Sequence, residues 1–362
     1  MLTILIAQLP KHSYFRAVEK QVNTSNLTGM RNSFFLLLLF AASTAYTNAQ
    51  HTNFNTQSNW ALNKKEILFG FGGTQFLGDL GGRDQIGTDY SLADIDWAST
   101  SLGGMVGYRF RFHPRWATST TLNIGMVRGD DALTNEIVRQ SRNLHFRSMF
   151  YELQQRIEII ILANEKFGNR YGLGGHSRKM KNRNEQIYLF TGVGVNYYNP
   201  KARFQGEWVA LRPLGTEGQG SGETFTVYNG DGTQDYVAPD RYLPVTATIP
   251  FGVGMRMGIG RMWRLGIEAT YIKTFTDYMD DVSGYYADPA YIAAATQGDA
   301  NAAVYLANPA TDNTAWFAPG QQRGDAQNDA FYTVNIVVAR NITYKDYAKS
   351  RRMNRWRGRY KF

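Results

Sequence analysis

Glu152, Glu158 and Glu268, together with Arg109, Arg111, Arg156, Arg256 and Arg264, are the residues of this chain placed best for chemistry, because each stands within a stretch of alternating apolar residues. Carboxylates held together in a shielded site can divide the roles of general acid and general base. Set among arginines, the same carboxylates can instead form a salt-bridged plug in which each buried charge meets an opposite one. The plug asks only for pairing, and it is the expectation. Glu268 stands diagonally opposite Arg256 in the hairpin described below, within reach of long side chains.

Other chemistries find less support. The chain has no cysteine, which removes disulfide scaffolds, thiolate zinc sites and cysteine nucleophiles. His51, His113, His145 and His176 are scattered, with no H-x-x-x-H pair and no convincing triad. His145, close to Asp130 and Asp131, offers at most the outline of an Asp/His hydrolase site. The glycines at Gly252, Gly254, Gly258 and Gly260 make no phosphate loop, because no helix follows them. They are expected to leave room for Arg256 in an interior. The carboxylates from Asp79 to Asp96 could hold calcium, although their spacing is not that of an EF-hand. No catalytic residue, cofactor or metal is therefore assigned.

The elements that must position these charges alternate with a period of two, which means strand. In the hairpin from Thr248 to Tyr271, Ile249, Phe251, Val253, Met255, Met257 and Ile259 share one face. Trp263, Leu265, Ile267, Ala269 and Tyr271 continue it on the second arm, and the other face is small or charged. An apolar face of that length suits hydrocarbon, since a transmembrane strand needs about 9–11 residues. Further strands are predicted over 66–76, 102–112, 116–127, 146–161, 187–198 and 331–342. In the fourth, ELQQRIEIIIL contains good helix formers, but Met149, Tyr151, Leu153, Ile157, Ile159 and Ile161 alternate outward. The total is eight, an even number and the smallest size of outer-membrane barrel. The predicted fold is all-β: an eight-stranded antiparallel up-and-down transmembrane β-barrel. Its lumen should be just wide enough for side chains to fill.

Loop lengths set the orientation, with long polar loops outside and short turns in the periplasm. The outer loops are acidic, the last carrying Asp277, Asp280, Asp281, Asp288, Asp299, Asp312, Asp325 and Asp329 against Arg323. The periplasmic side is basic, with Arg178, Lys179, Lys181 and Arg183 between strands four and five. The tail adds Arg351, Arg352, Arg355, Arg357 and Arg359. The net charge of +9 thus lies largely on one side of the membrane. Export into an envelope argues against nucleic acid as its partner, and an acidic protein or anionic lipid headgroups fit better.

Export itself is read from Arg31 and the apolar run Phe34 to Ala42, ahead of Thr47-Asn48-Ala49. This is the pattern of a secretory signal peptide, too short to span a membrane. Residues 1–49 are read as an upstream extension plus signal, with translation starting at Met30. A lead-in covers 50–65, the barrel 66–342 and a basic periplasmic tail 343–362.

Several stretches resemble the PorG-like outer-membrane barrels of the Bacteroidota type IX secretion system. They are Phe76 to Gly82, Gly129-Asp130-Asp131, Arg142-Asn143-Leu144, Tyr188 to Phe190 and Tyr198-Asn199-Pro200, with Leu211 to Gly220, Ile249 to Gly254 and Thr276 to Ser283. The resemblance implies a non-enzymatic barrel of a Gram-negative outer membrane. It also implies that the barrel anchors a periplasmic ring, made of a lipoprotein and its partner protein, with neither small-molecule substrate nor cofactor. The alternatives are an outer-membrane hydrolase or lipid-modifying enzyme, and a surface adhesin or receptor acting through the acidic loops.

Overall fold

The computed structural model describes residues 64–80, 99–133, 136–164, 170–171, 185–229, 232–259, 263–325 and 327–342. The predicted signal peptide lies outside the described residues, as do Arg178, Lys179, Lys181, Arg183, Arg351, Arg352, Arg355, Arg357 and Arg359.

Alternation decides the architecture. Strands β1 (Lys65–Leu77), β2 (Ser101–Arg111), β3 (Trp116–Asp130) and β4 (His145–Asn164) pair antiparallel in sequence order. A two-residue β5 (Arg170–Tyr171) continues the end of β4. Next come β6 (Glu185–Phe204), β7 (Glu207–Ala210) and a separate hairpin of β8 (Thr224–Asn229) with β9 (Gly232–Val237). The sheet resumes with β10 (Val245–Gly258), β11 (Trp263–Thr274) and β12 (Ala330–Asn341). Pairing of β4 with β6 and of β12 with β1 closes β1, β2, β3, β4, β6, β10, β11 and β12 into an eight-stranded antiparallel barrel. Closure leaves the ring no open edge, as a β-structure surrounded by lipid requires.

Side-chain parity is inverted relative to a soluble protein. Phe71, Val106, Leu153, Val193, Phe251 and Ile336 are exposed on the outer wall. Arg109, Arg156, Glu158 and Glu268 are buried within. An apolar girdle of this extent has water as its wrong solvent. Trp263 and Tyr271 mark its two ends on β11, a rise of roughly 20 Å for a strand tilted about 40°. At the upper end Tyr271 lies opposite Tyr332, with ring centroids 5.1 Å apart, and Tyr151 lies opposite Tyr197. At the lower end Arg340 stacks over Trp263, 5.4 Å from the ring centroid. A polar trio interrupts the girdle, and it satisfies itself. Thr120 donates to Gln155 and Gln155 to Thr118, each at 2.6 Å. Such internal pairing lets amide and hydroxyl groups face hydrocarbon.

The structure corrects the predicted phase at the end of the fourth strand. A bulge between Ile160 and Leu162 shifts the register against β6. Ile160 still points inward with Glu158, but beyond the bulge it is Ala163 that is buried, while Ile161, expected to face out, is half-buried. One extra residue on one strand is enough to reverse the faces beyond it.

The long-loop end also departs from the expected solvated coils. Strands β4 and β6 run past the girdle, and β6 turns into β7 through Gln205 and Gly206, both at positive φ (49° and 93°). The last loop folds helices α2 (Pro289–Ala295) and α3 (Ala300–Ala307); a short α1 (Ile137–Arg142) precedes β4. Asp288 and Asp299, read only as loop acidity, are N-caps that accept from the backbone N–H groups of Ala290 (2.8 Å) and Asn301 (3.0 Å). Met279, Val282, Ile292, Ala303 and Leu306 pack with Phe76, Phe146, Phe150, Tyr198 and Phe331 from the barrel walls. The largest apolar core of the described residues thus sits in a cap over the barrel's outer end.

Candidate functional site

Two clusters of charge bear on function, one in the lumen and one in the cap. In the lumen, Glu66 is the hub. It stands at the start of β1, and the sequence reading passed over it because no flanking alternation marks a strand's first residues. Its carboxylate meets Arg109 Nη1 at 2.9 Å, Arg256 Nη1 at 3.1 Å and Arg264 Nε at 3.4 Å. Glu158 takes Arg109 Nε and, at 3.2 Å, Arg256 Nη2. Arg156 reaches across the barrel to Glu268 at 3.1 Å. All of these side chains are buried. The expected diagonal pairing of Glu268 with Arg256 is not the one formed. Arg256 turns toward Glu66 and Glu158, two carboxylates against the one of Glu268, whose oxygens take Arg156 and the Tyr188 hydroxyl.

Two of the predicted lumen residues take other partners. Arg111 is fully buried and donates to the Pro114 carbonyl, closing the turn between β2 and β3. Glu152 accepts from neutral donors: Thr248 Oγ1 and Gln154 Nε2, both at 2.7 Å, and Asn123 Nδ2 at 3.3 Å.

Aromatic rings complete the lumen. The Arg256 guanidinium lies 3.9 Å from the Tyr188 ring centroid, and that of Arg156 lies 4.4 Å from Phe190. The Tyr188 hydroxyl donates to Glu268. The glycines expected to make room for Arg256 chiefly make room for these rings. A Cβ on Gly254 would stand 2.1 Å from Tyr188 Cζ, and one on Gly252 2.4 Å from Phe190 Cζ. Gly254→Val is therefore expected to displace Tyr188 and lower stability by about 1–3 kcal/mol. Urea unfolding of the barrel in lipid vesicles measures this. The parity of Tyr188 and Phe190 with Gly192 and Gly194 was the signal that could have assigned both rings to the interior.

The cap gathers residues far apart in sequence. Arg142 donates to both oxygens of buried Asp131 (2.7 and 3.0 Å), to the Arg323 carbonyl (3.1 Å) and to the Asp79 carbonyl (2.8 Å). Arg323 in turn donates to Glu217 (3.0 Å) and to the Asp281 carbonyl (2.7 Å). Glu217 also accepts from the Ser283 and Gly284 backbones, and Asp281 from Thr216 and Tyr242. The stretches 211–220 and 276–283 thus meet as structural keystones. Burial outweighs Arg323 at Asp281 and pushes its carboxyl up to about 6. Burial and neighbouring carboxylates push Asp79 up to about 7 and Asp277 to about 8, and raise Asp280 and Asp329 well above the usual range.

His145 lies opposite Asp130 in the β3–β4 register, but its Nε2 accepts the Arg203 backbone N–H at 2.9 Å. Asp131 is held by Arg142 and the Leu144 backbone N–H. The outline of an Asp/His site therefore dissolves into structural bonds.

No protein-family model matches the chain, and no curated protein matches its sequence. Solved structures match it in backbone arrangement alone. One is Ail, the attachment invasion locus protein of Yersinia pestis, in complex with the heparin analogue sucrose octasulfate. It is 9% identical with a TM-score of 0.28, over 76% of this chain and 97% of that one. Neisserial surface protein A is 5% identical with a TM-score of 0.31, over 77% and 97%. The N-terminal β-barrel domain of Pseudomonas aeruginosa OprF is 6% identical with a TM-score of 0.25, over 76% and 98%. Likeness at these scores says nothing of what this chain binds or does.

Proposed function

We propose that the chain is a non-catalytic outer-membrane barrel of the type IX protein secretion machinery, holding the periplasmic ring lipoprotein and its partner protein against the membrane. The observation that carries this reading is the filled lumen. Glu66, Glu158 and Glu268 are ion-paired with Arg109, Arg156, Arg256 and Arg264 and are backed by Tyr188 and Phe190. A barrel closed in this way conducts nothing, so its work falls to its two ends. In the sequence, Arg178, Lys179, Lys181, Arg183 and the Arg351 to Arg359 series fall in the segments assigned to the periplasmic end, and their charge suits an acidic partner or anionic headgroups. Deleting residues 343–362 is expected to leave the barrel in the membrane and to reduce its co-purification with ring components at least severalfold. Undiminished co-purification of the truncated protein would overturn the assignment.

A surface adhesin or receptor is the second reading, favoured by the folded cap. The β8–β9 hairpin stands exposed there and is tied to the last loop by the Tyr228 N–H to Gly320 carbonyl bond (2.8 Å). Replacing 224–237 by a Gly-Ser linker separates the two. Loss of surface binding with intact secretion supports the receptor, and intact binding with intact secretion removes it.

A further inference from the structure

Asp79 follows β1, Asp277 follows β11 and Asp325 comes shortly before β12, yet a carboxylate oxygen of each lies within 4.8 Å of the other two. Asp277 is only 8% exposed, and neither of its oxygens has a hydrogen-bond partner within bonding distance. The Ser283 hydroxyl is the neighbour that offers one. Asp79 Oδ2 accepts the Asp325 backbone N–H at 3.0 Å, which fixes the first loop against the last. Asp280 and Asp329 lie buried behind them. Asp280 accepts from the backbones of Leu80 (3.2 Å) and Val282 (3.0 Å), and Asp329 from that of Met279 (2.9 Å). The two nearby guanidinium groups are committed elsewhere, Arg142 to Asp131 and Arg323 to Glu217.

A buried carboxyl with no donor inside bonding distance, aimed into a cluster of its own sign, either keeps its proton or meets a cation. The donors are hard oxygens, with no histidine or thiolate, which selects an alkaline-earth ion over a transition metal. Asp325 is exposed, which leaves an entry path and room for water ligands. Carboxylates drawn from separate loops suit the irregular, higher coordination of calcium better than the strict octahedron of magnesium.

We propose that Asp79, Asp277 and Asp325 bind a calcium ion at the outer rim, stapling the first and last outer loops across the β11–β12–β1 seam. Extracellular calcium modules have dissociation constants of about 10⁻⁴–10⁻³ M, and a site of this kind belongs in that range. The test uses the full-length barrel in detergent, with radioactive calcium in equilibrium binding and protease resistance of the cap in calcium or chelator. The wild type is expected to bind calcium at millimolar concentration and to gain protease resistance from it. Asp277→Asn combined with Asp325→Asn should abolish both effects, whereas Asp312→Asn should abolish neither. Heat-modifiable migration in gels confirms that each variant still forms a barrel. Should the double variant fail to form one, exposed Asp325→Asn alone should weaken calcium binding about tenfold. Wild-type protein that takes up no calcium at millimolar concentration would overturn the site. So would variants that bind calcium as the wild type does.

Discussion

Glu66→Gln is expected to destabilise the barrel more than any other single substitution in the lumen. One carboxylate there faces three guanidinium groups, those of Arg109, Arg256 and Arg264, and all four side chains are buried. Glutamine keeps the shape and removes the charge. Glu158, already shared by Arg109 and Arg256, must then balance the cluster. Breaking a buried ion pair by removing one partner costs about 3–5 kcal/mol, because the charge left behind stays desolvated. The loss should appear as a lower urea midpoint for unfolding in lipid vesicles and a lower temperature for heat modification. Glu152→Gln is the matched comparison. Its partners Thr248, Gln154 and Asn123 are neutral, so that change should cost at most about 1 kcal/mol. Equal effects of the two substitutions would show that lumen stability does not depend on ion pairing.

The contrast between Glu66 and Glu152 also marks where sequence pattern stops being informative. Lipid forces each spanning residue to one of two sides, so parity alone places Arg109, Arg156, Glu158 and Glu268 inside. Which arginine meets which carboxylate is set by strand stagger around the whole ring, and no single hairpin contains that information. The diagonal from Glu268 to Arg256 was locally sound and lost to partners on β1 and β4. Tyr188 and Phe190 were hidden for a different reason, since aromatic side chains occur on both faces of membrane strands. The cap was least legible. Its chain has no sustained period, and its bonds join residues such as Arg142 and Arg323, far apart along the sequence. Asp280 and Asp281 read as loop acidity there and Asp131 as part of an Asp/His outline, but each is buried and bonded.

Arg142→Met is expected to open the cap and leave the barrel standing. The guanidinium joins the end of β3 through Asp131, the first outer loop through the Asp79 carbonyl and the last through the Arg323 carbonyl. Methionine covers a similar apolar stem but offers no donor, so Asp131 keeps only the Leu144 backbone N–H. The cost should again be about 3–5 kcal/mol, now confined to the cap because the lumen pairs share none of these groups. Trypsin or proteinase K on intact cells should then cut within 277–329, where the wild type resists, while heat-modifiable migration persists. Arg142→Lys should not rescue resistance, because one ammonium cannot reproduce a bidentate grip on Asp131 together with two carbonyl bonds. Adding Asp131→Asn to Arg142→Met removes the stranded charge and should restore part of the protection. If both single variants resist protease as the wild type does, the cap is held by its apolar core of Met279, Val282, Ile292 and Leu306, and Arg142 is incidental to it.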